Sequence, residues 1–301
     1  MHVFVTGASG FIGRAVVAEL IAAGHKVTGL ARSEESAAVV TDLGAAVHHG
    51  DLDDLETIRQ AAKAADGVVH LANKHDWAHP EVSSRAERTT VQAISEALAG
   101  SDRPFVFASG TAIANQPGMS RPATEQDRVP GAGPDSPRGG AENLALTYVE
   151  RGVRVVPARS APTVHGEGDH GFIAVIAQAA RRRGAVPYVD DGANRWPAVH
   201  RSDAARLVRL GLENAPAGTN LHVTAEEGVA FRQIAEALAS RLGVPAASAP
   251  AEQVAEEIPY VGRFVGADIP ATSTITRDLL GWRPTGPMLL EDIAAGHYDQ
   301  P

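Results

Sequence analysis

No cysteine occurs anywhere in the chain, which excludes disulfide frameworks, thiolate nucleophiles and cysteine-ligated zinc. Long apolar runs are missing too: none reaches the roughly 18–20 residues that a membrane-spanning helix needs. The N-terminal MHVFVTGASG has neither the basic start nor the apolar stretch of a secretory signal, so the expectation is a soluble, cytoplasmic protein with no membrane partner. A basic face is also lacking. The formal net charge is −9 with both signs interspersed, and no nucleic-acid partner is expected. The densest basic run, Arg181–Arg183, closes an apolar helical stretch, where cations are favoured by the helix dipole.

What remains is the composition of a packed globular protein, with 44% hydrophobic and 21% charged residues in 301, enough for one large α/β domain or a domain with a smaller lobe. Short apolar, β-rich runs at Val3–Thr6, Lys26–Ala31, Ala46–His49, Gly67–Ala72, Pro104–Ser109 and Arg154–Arg159 alternate with helical segments at Phe11–Ala23, Glu34–Leu43, Asp53–Ala64, Val82–Ala99 and Gly140–Arg151. Apolar strands separated by helices predict a parallel sheet covered on both faces, and right-handed crossovers make it a doubly wound Rossmann-type α/β sheet. After Arg159 the rhythm breaks. Helices are predicted at Phe172–Arg183, Ser202–Glu213 and Phe231–Leu242, with strands near Ala198–His200 and Asn220–Val223. The expected division is a dinucleotide-binding domain over 1–161 and a small C-terminal substrate lobe over 162–301, from which 198–221 returns to the first domain. The connection from Thr111 to Pro137, broken by Pro117, Pro122, Pro130 and Pro134, is a long loop expected over the ligand crevice.

The segment Thr6-Gly7-Ala8-Ser9-Gly10-Phe11-Ile12-Gly13 follows a strand and opens an amphipathic helix, the context in which a glycine triplet binds a dinucleotide. Gly7 permits the tight turn, Gly10 lets the backbone approach a pyrophosphate, and Gly13 lets the helix pack closely. The second strand ends in Arg32-Ser33. An acidic residue there would select NAD and a basic one accommodates a 2′-phosphate, so NADP(H) is expected over NAD(H). Asp51-Leu52 follows the third strand, where Asp51 either accepts from an adenine amino group or caps the next helix, as Asp53 could equally.

These features resemble the extended and atypical short-chain dehydrogenase/reductases, the group of the NAD-dependent epimerase/dehydratases. The resemblance extends through Val68–Ala72, Phe105–Ser109, Thr163–Gly168, Val199–Ala205 and Leu279–Pro284, nearly the whole chain. It implies that Leu71, Ala72 and Asn73 run beneath the nicotinamide side of the cofactor and that Ser109 matches the catalytic serine or threonine. One departure matters most. The family's Tyr-x-x-x-Lys falls on Arg138 and Glu142, so neither the tyrosine's proton transfer nor the lysine's charge is available in the usual form.

Candidates for chemistry must lie at the C-terminal strand ends. Ser109 and Thr111 could orient a carbonyl, and His165 is the expected proton donor. His75, His170, Arg195 and Trp196 are expected around a small-molecule substrate. Glu142 and Arg138 are read as a helical ion pair at i, i+4. His75, Asp76, His165 and His170 lack any recognised ligand spacing, so no metal is expected. The leading expectation is an NADPH-dependent reductase of a small carbonyl compound. Alternatives are a sugar-nucleotide epimerase or dehydratase, and a non-catalytic NADP(H) sensor. Helices over Val82–Ala99 and Gly140–Arg151 are the expected face of a homodimer.

Overall fold

The computed structural model describes residues 1–76, 78–116 and 118–299. Strand β1 (His2–Thr6), helix α1 (Phe11–Ala22), β2 (Lys26–Ala31), α2 (Glu34–Asp42) and β3 (Ala46–His49) form the first half of the sheet. The second half runs α3 (Leu55–Ala64), β4 (Gly67–His70), α4 (Pro80–Leu98), β5 (Pro104–Gly110), α5 (Ala141–Leu146) and β6 (Arg154–Ser160). All pairings are parallel, and the order is β10-β6-β5-β4-β1-β2-β3. The seventh strand, β10, is Leu221–Val223. The chain winds outward in one direction from β1 and then in the other from β4, which opens a crevice beyond the ends of these two strands.

Period-two alternation decides which face each residue serves. Val3 and Val5 of β1 pack with Val16, Val17 and Leu20 of α1, while Phe4 between them packs with Ile58 of α3 and Ile94 of α4. Both faces are covered, so β4 is buried at every position. A doubly wound Rossmann-type sheet is therefore observed, with further elements after β6.

The later segment brings β7 (Thr163–His165), α6 (Phe172–Arg183), β8 (Val186–Tyr188), β9 (Arg195–His200) and α7 (Arg201–Asn214), and after β10 come β11 (Glu226–Ala230), α8 (Phe231–Leu242), β12 (Ala246–Ser248), α9 (Ala251–Glu257), α10 (Thr274–Leu280) and α11 (Leu289–Ala294). Strands β11-β9-β7 and β12-β8 make two small sheets. A separate core joins Ile173 and Ile176 of α6, Ile234 and Leu238 of α8, and Trp196. Helix α7 instead packs on the main sheet, through Leu207, Val208 and Leu212.

Several elements differ from their predicted extents. Helix α3 starts two residues late because Asp54 is its cap, accepting from the Thr57 amide and hydroxyl at 3.1 and 2.6 Å. The helix expected over Gly140–Arg151 ends at Leu146, and Tyr148 turns inward against the α4 side of the sheet. Helix α4 begins at Pro80, whose missing N–H costs nothing in the first turn. Among the described residues no helix is long and apolar enough to cross a membrane.

Strand β4 ends in His70, which is 2% exposed, with Nδ1 at 2.6 Å from the Thr6 hydroxyl. Burial drives its pKa from 6.5 down to about 3. The unfolded chain takes up a proton here as pH falls through 6.5, whereas the folded chain does not until about 3. Stability is thus expected to fall with pH across that window, by about 1.4 kcal/mol per pH unit for each histidine held neutral. Burial lowers His165 and His222 in the same direction. Thermal melting between pH 7 and 4 checks this, and His70→Asn should flatten part of the slope. A Tm independent of pH in that range contradicts it.

Candidate active site

The glycine-rich turn leaves β1 at Thr6. The Thr6 carbonyl and hydroxyl accept from the Leu71 and Ala72 amides at 3.1 and 3.3 Å, fastening the turn to the end of β4. Gly7 has φ +70°, and a Cβ there would stand 2.7 Å from the Ala72 nitrogen. At Gly13 a Cβ would stand 1.9 Å from the Gly7 carbonyl oxygen. Gly10 caps α1 without any side chain, and the first turn of that helix carries no acidic residue. Amides at such a helix start favour a phosphate, and only glycine lets one come close. Ser9 presents its carbonyl to Arg14 Nε at 2.8 Å. Phe11 and Ile12 are half-buried, with the Phe11 ring edge-on to His170 at 5.9 Å. The cradle fits a dinucleotide pyrophosphate.

At the far end of β2 Arg32 is exposed, and the Ser33 hydroxyl accepts from the Ser36 amide as the cap of α2. Asp51 accepts from the Asp53 amide at 3.0 Å, and Asp51 and Leu52 lie half-buried after β3. At the mouth of β4, Leu71, Ala72 and Asn73 are half-buried. The Asn73 side chain accepts from the His75 amide at 2.8 Å, which helps hold His75 in a left-handed backbone, φ +50°.

Beyond β5, hydroxyls expected to meet substrate are engaged internally. Ser109 donates to Glu142 Oε2 at 2.6 Å. Glu142 also takes Arg159 of β6, Nη2 to Oε1 at 2.5 Å, with both side chains at most 3% exposed. Arg159 Nη1 continues to the Asp127 carbonyl at 2.8 Å and to His222 Nε2 at 3.4 Å, and His222 Nδ1 donates to the Thr272 carbonyl at 2.8 Å. Thr111 is fully buried, its hydroxyl 3.4 Å from the Ser160 carbonyl.

The expected i, i+4 pair does not form, because α5 starts only at Ala141. Arg138 instead reaches Glu87 of α4, Nε to Oε2 at 3.0 Å and Nη2 to Oε1 at 2.7 Å. Arg138, Gly139 and Gly140 have φ of +53°, +65° and +62°. A Cβ on Gly139 would meet the Ser84 carbonyl at 2.4 Å, and Arg88 holds the Gly139 carbonyl at 2.8 Å. Helix α4 thereby dictates where the Arg138 side chain stands.

The expected proton donor His165 does not reach a cleft. It belongs to β7, is 0% exposed, and places Nδ1 2.5 Å from Asp292 Oδ2 of α11. Trp196 is likewise sealed in the second core, donating to the Phe264 carbonyl at 3.2 Å, so it is no substrate wall. Arg195 is bidentate with Asp268 at 3.0 and 2.9 Å. His170 and His75 stay exposed beside Phe11 and Arg138. Partial desolvation, then the His170 ring, then the Arg138 guanidinium lower the His75 pKa. Two participants carry no sequence signal: Glu87 inside a helix, and Tyr260, half-buried against Phe172 and Phe264 with ring centroids 6.1 and 5.5 Å away.

The sequence profile of the NAD-dependent epimerase/dehydratase family matches residues 3–224. The chain belongs to that family. An uncharacterised protein of Schizosaccharomyces pombe is 39% identical over 298 residues, covering 99% of this chain and 100% of that protein. The 2′-dehydrokanamycin reductase of Streptomyces kanamyceticus is 30% identical over 86% of this chain and 72% of its own length. Among solved structures, the dTDP-glucose 4,6-dehydratase of Streptomyces venezuelae with NAD bound has a TM-score of 0.76 at 22% identity, covering 99% of this chain and 96% of that one. Membership makes the chain an NAD(P)-dependent enzyme. It also corrects the NADP(H) expectation, since solved structures of this fold carry NAD, and the Ser33 hydroxyl counted for a 2′-phosphate is spent on its helix cap.

Gly13→Ala should weaken NAD binding at least ~10-fold, about 1.4 kcal/mol, read by titration calorimetry; unchanged affinity would remove the turn from the site. Glu142→Leu should cost about 3–5 kcal/mol of stability by stranding the Arg159 charge, and adding Arg159→Met should restore most of it. Denaturant unfolding of the single and double variants measures both, and additive losses would contradict the coupling.

Proposed function

We propose that this protein is an NAD-dependent oxidoreductase of the epimerase/dehydratase kind, acting on a hydroxyl- or keto-bearing carbon of a sugar or sugar nucleotide. The observation that carries the reading is the composition of the cleft beyond β4 and β5. His75 lies within the influence of the His170 ring and the Arg138 guanidinium, and Tyr260, which also feels Arg138, packs in an aromatic group with Phe172 and Phe264. A pyranose has apolar C–H faces and a polar rim, and such an aromatic group with these polar groups suits it better than a simple ketone. Support for the same class comes from the 2′-dehydrokanamycin reductase and from the sugar-nucleotide epimerases and dehydratases that share this fold.

NAD, when bound, accepts a hydride at nicotinamide C4 and its reduced form returns one. The residues of this chain supply the rest. The turn at Gly7–Gly13 holds the pyrophosphate against α1, and the half-buried Leu71–Asn73 segment supports the nicotinamide side. His75 takes the hydroxyl proton as the substrate carbon is oxidised and gives it back on reduction. Its lowered pKa keeps the imidazole neutral near pH 7, the form that accepts a proton. Ser109, Glu142 and Arg159 act from beneath, as the buried frame that fixes the mouth of β5.

Incubating the protein and NAD with UDP-glucose, dTDP-glucose and their keto derivatives, beside simple ketones and alcohols, tests the class. Turnover or epimerised product is expected with the sugars, and activity confined to the simple compounds would overturn it. His75→Phe should lower turnover by roughly 10²-fold with NAD affinity unchanged. Because the folded pKa is depressed, oxidation should hold at neutral pH and fall only as pH drops below the ordinary histidine range. A His75→Phe enzyme with parental turnover and pH profile would remove His75 from proton transfer.

A further inference from the structure

Five non-glycine residues among those described have positive φ: His75, Asp102, Arg138, Asp190 and Tyr260. The two aspartates sit at exposed positions outside helices and strands, a conformation short polar side chains tolerate. The other three lie within electrostatic reach of one another, since the Arg138 charge acts on both His75 and Tyr260. Strain of this kind persists only where surrounding contacts impose it, and it clusters at functional sites.

Arg138 is the most constrained of the three. Its backbone is fixed by the Gly139 and Gly140 contacts and by Arg88. Nε and Nη2 are both committed to Glu87, which is 4% exposed. Nη1 is the remaining end of the fork, and it lies 3.9 Å from where a Cβ would stand on Gly110, the last residue of β5. A guanidinium has five donors and stays protonated at every pH an enzyme meets. It can therefore hold an anionic oxygen but cannot deliver a proton to it. Holding the fork by one edge fixes the direction of the other, which a flexible surface arginine would not need.

We propose that Arg138 is the anion-binding residue of this cleft, its Nη1 edge taking the substrate oxygen on the reacting carbon as that oxygen becomes negative. The assignment rests on the redox reading of the cleft and adds to it which residue carries the charge. In the reduction direction the carbonyl carbon gains a hydride and its π electrons move to oxygen. The alkoxide is held by Arg138 until His75, protonated when the substrate carbon was oxidised, returns that proton. The reverse direction retraces these steps. A stabiliser aimed at a developing oxyanion is worth about 10²–10³ in rate.

Two measurements test this, the first without any substrate. Acetate and its neutral isostere acetamide are titrated calorimetrically into the NAD-loaded protein. Acetate should bind, and binding should weaken at least ~10-fold, about 1.4 kcal/mol, in Arg138→Gln, while acetamide should not respond to the substitution. The single change strands the Glu87 carboxylate, so the double variant Arg138→Gln/Glu87→Gln is measured alongside, with NAD affinity reporting the fold; it should lose acetate in the same way. Arg138→Lys should recover part of the binding. Acetate affinity unchanged in the double variant overturns the proposal. With a sugar that is turned over, the double variant should lower kcat by about 10²-fold. A loss confined to KM would place a permanent substrate anion at Arg138 and overturn the alkoxide assignment. Absence of turnover with every sugar would count against the redox reading alone, since the acetate titration stands without it.

Discussion

The buried pair of Glu142 and Arg159 is the interaction on which the geometry of the cleft depends. Taking both charges out of water is costly, and attraction alone does not offset it unless the remaining lone pairs and protons are also satisfied. Here they are. The carboxylate receives Ser109 and Arg159, and the guanidinium continues to the Asp127 carbonyl and to His222. The partners come from β5, α5, β6, β10 and the loop before α5, so one network ties five separate stretches together. Ser109 and Arg159 are also register partners in the sheet. The start of α5 is thereby nailed to the strand ends, and the left-handed turn that carries Arg138 is held between that anchor and α4.

This arrangement explains how the chain accommodates the loss of its family's tyrosine and lysine. Placing Glu142 at the lysine position would put a bare negative charge beneath the cleft. Arg159 on the adjacent strand cancels it within the same buried volume. Arg138 at the tyrosine position is balanced in turn by Glu87. Two charge pairs replace one cation, and the layer under the cleft becomes electrically neutral while Nη1 of Arg138 still faces the mouth of β5. Because arginine cannot release its proton, the proposed proton-carrying group is the exposed imidazole that feels the Arg138 charge, His75 in the loop after β4.

Much of the sheet was legible in the residues, because its strands are apolar throughout and its helices carry a 3.6-residue stripe long enough to read. The glycine turn was legible for a sharper reason: at Gly7 and Gly13 any side chain collides with backbone, so the residue type reports the geometry. The second lobe was less legible. β7, β8 and β12 are three residues each, too short to show a period of two. His165 read as a proton donor open to the crevice for that reason, although pairing with β9 and the cover of α11 turn it inward. The Arg138–Glu142 spacing misled because it presumes a continuous helix, and whether one exists is decided by Ser84 and Arg88, some fifty positions earlier. Arg32-Ser33 misled differently, since a serine before Glu34-Glu35 is as good a helix cap as a phosphate ligand, and the cap is what forms.

The two histidine environments separate structural from chemical roles. His70, His165 and His222 are sealed, and burial holds them neutral, so their rings serve as fixed donors and acceptors for Thr6, Asp292 and Thr272. A sealed ring that gained a proton would have to share it with its buried partner or unfold its surroundings, which makes it a poor carrier to an outside oxygen. His75 and His170 stay exposed, so a proton on His75 can exchange with solvent. His75 is also held near the Arg138 guanidinium, which favours its neutral ring. On the proposed reading, proton exchange at His75 and charge stabilisation at Arg138 fall to different residues, because the guanidinium that stands at the tyrosine position cannot carry the proton.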